Sequence, residues 1–442
     1  MTKSIMRRAI AATAVAGLVA TGSLAGAGHQ TAKAAGRSAA TLPVTILGQW
    51  GSAEKTDFQA ILSYCASTYH TKTTYIQSAS NLNAQLATMV QGGNPPDIAT
   101  LSTPSAIAQY VAGGALQPLT FLSTAKLKSQ YSPFWLNLGT TNGKLYSIYM
   151  KADVKSLVWY SPTKFQQGHY EVPQTWNQLI ALSQKMVKQG KQPWAVGVDA
   201  GWPLTDFLEN IYLQSAGPEM YNKWIAGTVK WTDPSVKNAF RLWDQIIANN
   251  SMIAGGRARA LGQKWDQGAV QMVTDPKAEF FQEASFVGAG LRGDLPSDTE
   301  GKDYSAFAFP FIKTYSTTPV EVGPNGMVMF KSTPGSRALM TCMTDPNALA
   351  QWAKLGGYIS PNSAVASSAY PDALTRFEAT MLTNAGKRNL VVGDASDLMP
   401  VSFGSGYEFT ALSKYFANPS MNLDSFLQDM QTHAARAYST GH

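Results

Sequence analysis

Residues suited to holding a polyhydroxylated molecule gather at the ends of patterned segments rather than inside them. Gln49 and Trp50, with Glu54 close behind, follow a short apolar run; Trp202 and Asp206 open a helical pattern; Phe403, Tyr407 and Phe409 follow Met399-Pro400. A flat aromatic face can lie against the C–H face of a sugar ring while a neighbouring amide or carboxylate exchanges hydrogen bonds with its hydroxyls. The 11 Trp and 18 Tyr supply more rings than one site needs. Trp159, Trp176, Trp224, Trp243 and Trp352 sit within helical or strand patterns and are expected in the core, whereas Trp50 and Trp202, at element ends beside polar residues, are the site candidates. Asp97 is expected to cap a turn. Asp394 and Asp397 suit either capping or contact with a ligand, and the sequence leaves both readings open.

Covalent and metal chemistry find less support. The chain contains no HExxH, GxSxG or P-loop pattern. Gly288-Ala289-Gly290-Leu291-Arg292-Gly293 matches GxGxxG but runs into Asp294-Leu295-Pro296, which predicts a loop with no helix N-terminus to hold a pyrophosphate. The histidines are scattered, and Cys65 and Cys342 have no metal-ligand spacing. A binder without metal or other cofactor is therefore expected. Carboxylates and aromatics in one cleft keep a secreted carbohydrate-active enzyme as the alternative, with a surface adhesin or structural module ranked below it.

Several elements must position these residues. Val44 to Leu47 reads as a strand, Phe58 to Tyr69 and Leu82 to Val90 as amphipathic helices, and Asp97-Ile98-Ala99 as a strand after the breaker cluster Gly92-Gly93-Asn94-Pro95-Pro96. Thr175 is placed to cap a helix that Gly190 stops; Pro203 opens a helix to Ser215, and Asp233-Pro234 one to Ala248. Strands alternating with helices argue for α/β lobes, and a mature chain of about 400 residues exceeds one core, so two lobes are expected.

Lys3, Arg7 and Arg8 precede an Ala, Val, Leu and Gly-rich run from Ala9 to Gly28, the pattern of a secretory signal. Glycines dilute that run too far for a membrane span of about 20 residues. Small-x-small sites at Ala25-Gly26-Ala27 and Ala32-Lys33-Ala34 predict cleavage between Gly28 and Ala35, with residues 1–34 as leader. The leader holds four of the cations behind the formal charge of +7 and no acid, so the mature chain carries +3. With only 14% charged residues and no Lys/Arg runs, nucleic-acid binding is a poor expectation. Neither cysteine lies near the cleavage site, so no lipid anchor is expected. Cys65 and Cys342 are flanked by apolar residues and are expected as buried free thiols, although export permits a disulfide.

Ordered segments along the mature chain carry a family resemblance. They are Gln91-Gly92-Gly93-Asn94-Pro95-Pro96-Asp97-Ile98, Gly113-Gly114-Ala115-Leu116, Gly143-Lys144-Leu145-Tyr146, Lys155-Ser156-Leu157-Val158-Trp159-Tyr160, Pro173-Gln174-Thr175-Trp176, Gly201-Trp202-Pro203-Leu204, Gly356-Gly357-Tyr358-Ile359 and Asp394-Ala395-Ser396-Asp397. In this order the chain resembles the extracellular solute-binding proteins of carbohydrate transporters, most closely the α-glucoside-type branch. The resemblance implies an α/β fold of the two-lobed periplasmic-binding-protein type (type II), with a three-crossing hinge and a ligand cleft between the lobes. It divides the chain into 41–150 and 306–362 for the first lobe and 151–305 and 363–442 for the second. It implies a carbohydrate ligand, permease subunits of an ABC transporter as partners, and an exported, soluble, monomeric protein without catalysis. The candidate ligand-binding set is Gln49, Trp50, Glu54, Ser102, Asp153, Trp202, Asp206, Asp275, Gly357, Phe403, Tyr407 and Phe409. One departure stands out. Where the family often shows a small residue, Gly and an aromatic after a G-x-x-x-M strand, Gly268 to Met272 is followed by Val273-Thr274-Asp275-Pro276-Lys277, so a stacking aromatic is expected to be missing and Lys277 to face solvent.

Overall fold

The computed structural model describes residues 41–78, 82–313 and 318–440; the expected leader and its cleavage site lie outside them. Among the described residues the strands in chain order are β1 (Leu42–Gly48), β2 (Thr71–Gln77), β3 (Ile98–Leu101), β4 (Thr140–Thr141), β5 (Lys144–Leu145), β6 (Ser147–Val154), β7 (Leu157–Tyr160), β8 (Phe280–Gln282), β9 (Ser305–Ala308), β10 (Val320–Met329) and β11 (Val391–Gly393). β1 begins the fold as the β-branched run predicts, and the helix Ser52–Tyr69 carries it back so that β2 pairs with β1 in parallel. The helix Leu82–Gln91 ends at the Gly/Pro cluster, after which β3 joins the other edge of β1. Asp97 ties these two strands together, accepting from the Thr45 backbone N–H at 2.8 Å and its hydroxyl at 2.9 Å.

β10 is the centre of this first sheet. β3 and β11 share one edge of β10 and β6 takes the other, antiparallel to it from Ser147 to Val154. Every residue of β6 and β10 is buried, the pattern of strands covered on both faces. A smaller sheet holds β7 between antiparallel β8 and β9, with Trp159 opposite Phe281 and Ala306. Helices Trp176–Lys188, Trp202–Ala216 and Pro234–Ile247 pack beside it around an aromatic core that includes Trp194, Trp224 and Trp243. Trp159, Trp176, Trp224, Trp243 and Trp352 are all buried. The Thr175 hydroxyl accepts from the Gln178 N–H while the Gln178 side chain accepts from the Thr175 N–H, so the expected cap is a reciprocal one.

The chain passes between the two sheets three times: through Lys155-Ser156 from β6 to β7, from β9 to β10, and out of β11 into the short helix Ala395–Leu398. These passages are bonded to one another. The Lys155 N–H donates to the Glu321 carbonyl, the Glu321 N–H to the Ser156 hydroxyl and the Asp394 N–H to the Val322 carbonyl, each at 2.9 Å. The third passage comes later than the boundary expected at Asn362. Leu374, Leu382 and Ala385 of the helix Ala373–Lys387 belong to the core that also covers β1 and β10, and β11 pairs with β10 before the chain leaves.

Three local expectations change. Cys65 and Cys342 are not free thiols but a disulfide, joining the helices Ser52–Tyr69 and Pro334–Cys342 across a Cα separation of 5.8 Å. Packing against β2 brings these helices together, which residues 277 apart in sequence could not reveal. Gly268–Met272 lies in a helix, Trp265–Thr274, rather than a strand. Gly288–Gly293 is also helical, within Phe286–Asp294. Its glycines serve packing: a Cβ on Gly290 would stand 3.0 Å from the Trp265 ring and one on Gly288 3.3 Å from Trp159.

Candidate functional site

A cavity of about 680 Å³ opens where β1, β2 and β3 end, the position at which open α/β sheets place ligands. Gln49, Trp50 and Glu54 follow β1, Gln77 ends β2, and Ser102 and Thr103 follow β3. Lys151, Asp153 and Lys155 from β6 and the first passage, with Gly323 of β10, form its floor. From the other side come Trp202, Trp265, Phe286, Ser405 and Phe409, together with Asp394, Ser396 and Asp397.

Local backbone geometry explains the aromatic wall. Gly201 has φ +82°, and a Cβ there would stand 2.8 Å from that of Phe409, so the glycine lets the start of the helix Trp202–Ala216 approach Phe409. Phe286 lies between two tryptophans, its ring centroid 4.8 Å from Trp265 and 6.0 Å from Trp202. Each of these four rings is half-buried, which leaves a face for a ligand. Phe286, which follows β8, thus belongs to the ring wall of the cavity. Trp50 differs from them. It is 2% exposed and packs on Phe58 at 4.7 Å and on Trp352 at 5.2 Å, so it touches the cavity from within the core.

The floor is a polar network. Gln49 donates to Asn325 at 2.8 Å, Asn325 donates to Asp153 at 2.7 Å, and the Lys151 ammonium contacts both Asp153 and, at 3.0 Å, Glu54. Burial pulls Lys151 down, but Asp153 and Glu54 outweigh it and hold the ammonium above the ordinary lysine range. Lys155 stands between Asp206, at 2.8 Å, and Asp394, and these acids likewise overcome burial to keep it charged. Burial pushes Asp206 up to about 7 despite its ion pair. Asp394 is buried yet held below the ordinary carboxylate value by Lys155 and by the N–H of Asp397, whose helix it caps. Capping and site position therefore coincide at Asp394. Asp206, Glu321 and Asp394 bring carboxylate oxygens within 4.8 Å of one another, a grouping able to hold a metal ion, and the Lys155 ammonium supplies a cation at that place.

The cavity thus brings together Gln49, Trp50, Glu54, Ser102, Asp153, Trp202 and Phe409 of the candidate set. Asp206 lies just behind it, fully buried against Lys155. The others are used elsewhere. Asp275 closes the end of the helix Trp265–Thr274, accepting from the Gln271 side chain at 3.2 Å and from the Lys277 N–H at 2.9 Å; Lys277 itself is exposed. Gly357, at φ +64°, packs so closely on the helix Phe286–Asp294 that a Cβ would meet that of Ala289 at 2.7 Å. Phe403 is buried against Trp231, and Tyr407 stacks on His433 at 3.7 Å, because the π-helical turn Phe403–Glu408 aims that pair at the core and leaves Ser405 and Phe409 on the cavity side.

Trp265, Phe286, Lys151 and Lys155 were not among the candidates. A signal for the lysines exists, since Lys151-Ala152-Asp153-Val154-Lys155 places charges inside an otherwise apolar strand pattern. Trp265 and Phe286 each stand at a helix start, as Trp202 does.

Fold and cavity together define a receptor that surrounds a small ligand. The chain belongs to the bacterial extracellular solute-binding proteins, whose family model matches residues 52–349. It is 33% identical to the osmoprotective compounds-binding protein GgtB of Synechocystis sp., over 74% of this chain and 77% of that one. It is 30% identical to the alpha-glucosides-binding periplasmic protein AglE of Rhizobium meliloti, over 85% and 84%. The crystal structure of the solute receptor AcbH, described as preferring β-D-galactopyranose, superposes with a TM-score of 0.78 at 19% identity, covering 91% of this chain and all of that one. The α/β fold is accordingly the two-lobed periplasmic-binding-protein type. No helix among the described residues is long and apolar enough to cross a membrane.

Proposed function

We propose that this chain is the substrate-binding protein of an ABC importer, taking up a sugar or oligosaccharide of glucoside type and presenting it to membrane permease subunits. The observation that carries this reading is the set of half-buried rings Trp202, Trp265, Phe286 and Phe409 on one side of a cavity whose other side offers Gln49, Ser102 and Thr103. Aromatic faces opposite hydroxyl-bonding groups match the two-sided character of a pyranose. The name of the relative AglE, a binder of alpha-glucosides, points to the same ligand class.

Binding occurs without turnover. A glycosidase needs two carboxylates free to act as acid and base or nucleophile, whereas Glu54, Asp153 and Asp394 are each tied to a lysine. The mature protein is exported after loss of residues 1–34, works as a soluble monomer without a lipid anchor, and has no nucleic-acid partner. The test is a thermal-shift screen against mono- and oligosaccharides, with the hit recovered and analysed. A cognate sugar at 100 times its Kd stabilises by about 2.7 kcal/mol and returns unchanged; release of new reducing ends would put the enzyme reading first.

A further inference from the structure

The helix Trp202–Ala216 is buried almost throughout, yet its interior is not uniformly apolar. Leu204, Leu208, Ile211 and Tyr212 join the aromatic core beside the smaller sheet. Asp206, Glu209, Asn210 and Gln214, each 0% exposed, follow one another at helical spacing and form a single polar stripe. Burying polar side chains costs free energy unless they find partners, and the partners here are the passages between the sheets. Asn210 donates its side-chain N–H to the Lys155 carbonyl at 3.1 Å in the first passage, whose ammonium meets Asp206 at 2.8 Å. Gln214 donates to the Pro319 carbonyl at 3.2 Å in the second. Glu209 accepts from the N–H groups of Ala395, at 2.6 Å, and Ser396, at 3.1 Å, at the start of the helix that the third passage enters.

One helix face thus touches all three described passages, while these four side chains stand outside the lining of the cavity. The same helix begins with Trp202, whose ring is part of the cavity wall. An element that carries a ligand-facing ring at one end and holds the three passages along one face moves ring and passages together. We infer that this stripe couples the cavity to the hinge and that Asn210 and Gln214 are positioning residues, which set sugar affinity by holding the passages to the helix of Trp202 without touching the sugar. Both are amides, so the coupling they provide needs no charge. Only the identity of the ligand rests here on the sugar-binding reading; the state of the hinge is measurable in the empty chain.

The test compares Gln214→Leu and Asn210→Leu with the parent chain and with Ser183→Ala, which removes a buried hydroxyl bonded to the Trp194 ring N–H at 3.1 Å, away from the passages. Gln214→Leu is the sharper variant, because the Lys155 carbonyl also accepts from Gln282 at 3.2 Å. Titration calorimetry with maltose, trehalose and sucrose should give affinities about three- to tenfold weaker in both stripe variants. Small-angle scattering of their sugar-free forms should give a larger radius of gyration, since a loosened hinge samples wider openings. Ser183→Ala should match the parent in both. Stripe variants that lose stability but keep the parent's affinity and radius would reduce the stripe to a role in folding and overturn the coupling. If none of the three sugars binds the parent, the glucoside reading fails, and scattering of the empty variants still decides the hinge. Should leucine prevent folding, hydrogen exchange of the unmodified chain decides instead. The N–H groups of Lys155, Glu321 and Asp394 should then open together with the interior of the helix, and passages that open independently of it would refute the coupling.

Discussion

The Lys155 ammonium lies 2.8 Å from the Asp206 carboxylate and contacts Asp394 on its other side, buried at the floor of the cleft. Lys155 belongs to the first passage between the sheets and Asp394 to the third, while Asp206 projects from the helix Trp202–Ala216. One cation thus holds the passages to the aromatic wall. Removing a single partner of a buried ion pair leaves uncompensated charge and costs about 3–5 kcal/mol. Lys155→Met should lower the stability of the chain by that order in urea unfolding. An unchanged midpoint would mean that Asp206 and Asp394 take up protons in place of the lysine.

Stability should fall as pH rises from about 5 to 8. Burial pushes Asp206 up to about 7, and burial together with the neighbouring Asp372 pushes Glu300 up to about 8; burial also holds Glu283, Glu321 and Glu408 well above the ordinary value. A carboxyl whose folded pKa is raised keeps its proton in the native state where the unfolded chain has lost it, so its contribution is full at low pH and disappears as pH rises through the folded value. Asp394 and Asp372 are shifted the other way, and they lose stability only on acidification below the usual carboxylate range. Melting temperatures measured across this interval should decline towards pH 8; a rising profile would show these acids to be ionised in the folded state.

Trp202 and Trp50 should respond differently to truncation. Trp202 presents a half-buried ring to the cavity, so Trp202→Ala should weaken sugar binding by about 1–3 kcal/mol with little change in stability. Trp50 packs between Phe58 and Trp352, so Trp50→Ala should destabilise the fold by about 3–5 kcal/mol. Titration calorimetry and unfolding curves on both variants separate the two roles, and equal loss of affinity at equal stability would erase the distinction.

The Cys65–Cys342 bridge fixes two helices that both pack against β2. Closing so long a loop restricts the unfolded chain, and loss of a native disulfide typically costs about 2–5 kcal/mol. The doubly substituted Cys65→Ser/Cys342→Ser chain should unfold at correspondingly lower urea. Alkylation of both thiols in native, unreduced protein would show that the bridge does not form.

Ligand binding should draw the lobes together. Three bonded passages restrict most relative motions and leave bending the softest, and Gln49 on one side of the cavity and Trp202 with Phe409 on the other reach one small ligand together only when they are close. Small-angle scattering should give a smaller radius of gyration with saturating sugar. An unchanged radius with intact affinity would mean that the cleft is preformed.

The sequence by itself determined many of the elements and the class, though not the helices that hold Gly268–Met272 and Gly288–Gly293. Gly92-Gly93-Asn94-Pro95-Pro96 ends one helix and starts β3, Thr175 and Gln178 cap another, and the order of such punctuation marks an α/β chain of two lobes. It also put Gln49, Trp50 and Trp202 at element ends, because a ligand residue must leave a regular element to face a cleft. Tertiary structure decided which ring faces are open. Trp50 and Trp202 look alike in sequence, yet Phe58 and Trp352 cover the first while Gly201 lets the second stand beside Phe409. It decided as well that Cys65 meets Cys342 and that Lys155 meets Asp206 and Asp394, since each pairing joins residues from distant segments that touch only once helices dock on sheets. Spacing along the chain encodes periodicity within an element; it does not encode which elements share a neighbour, and at this site the neighbours set both the charge and the exposed faces.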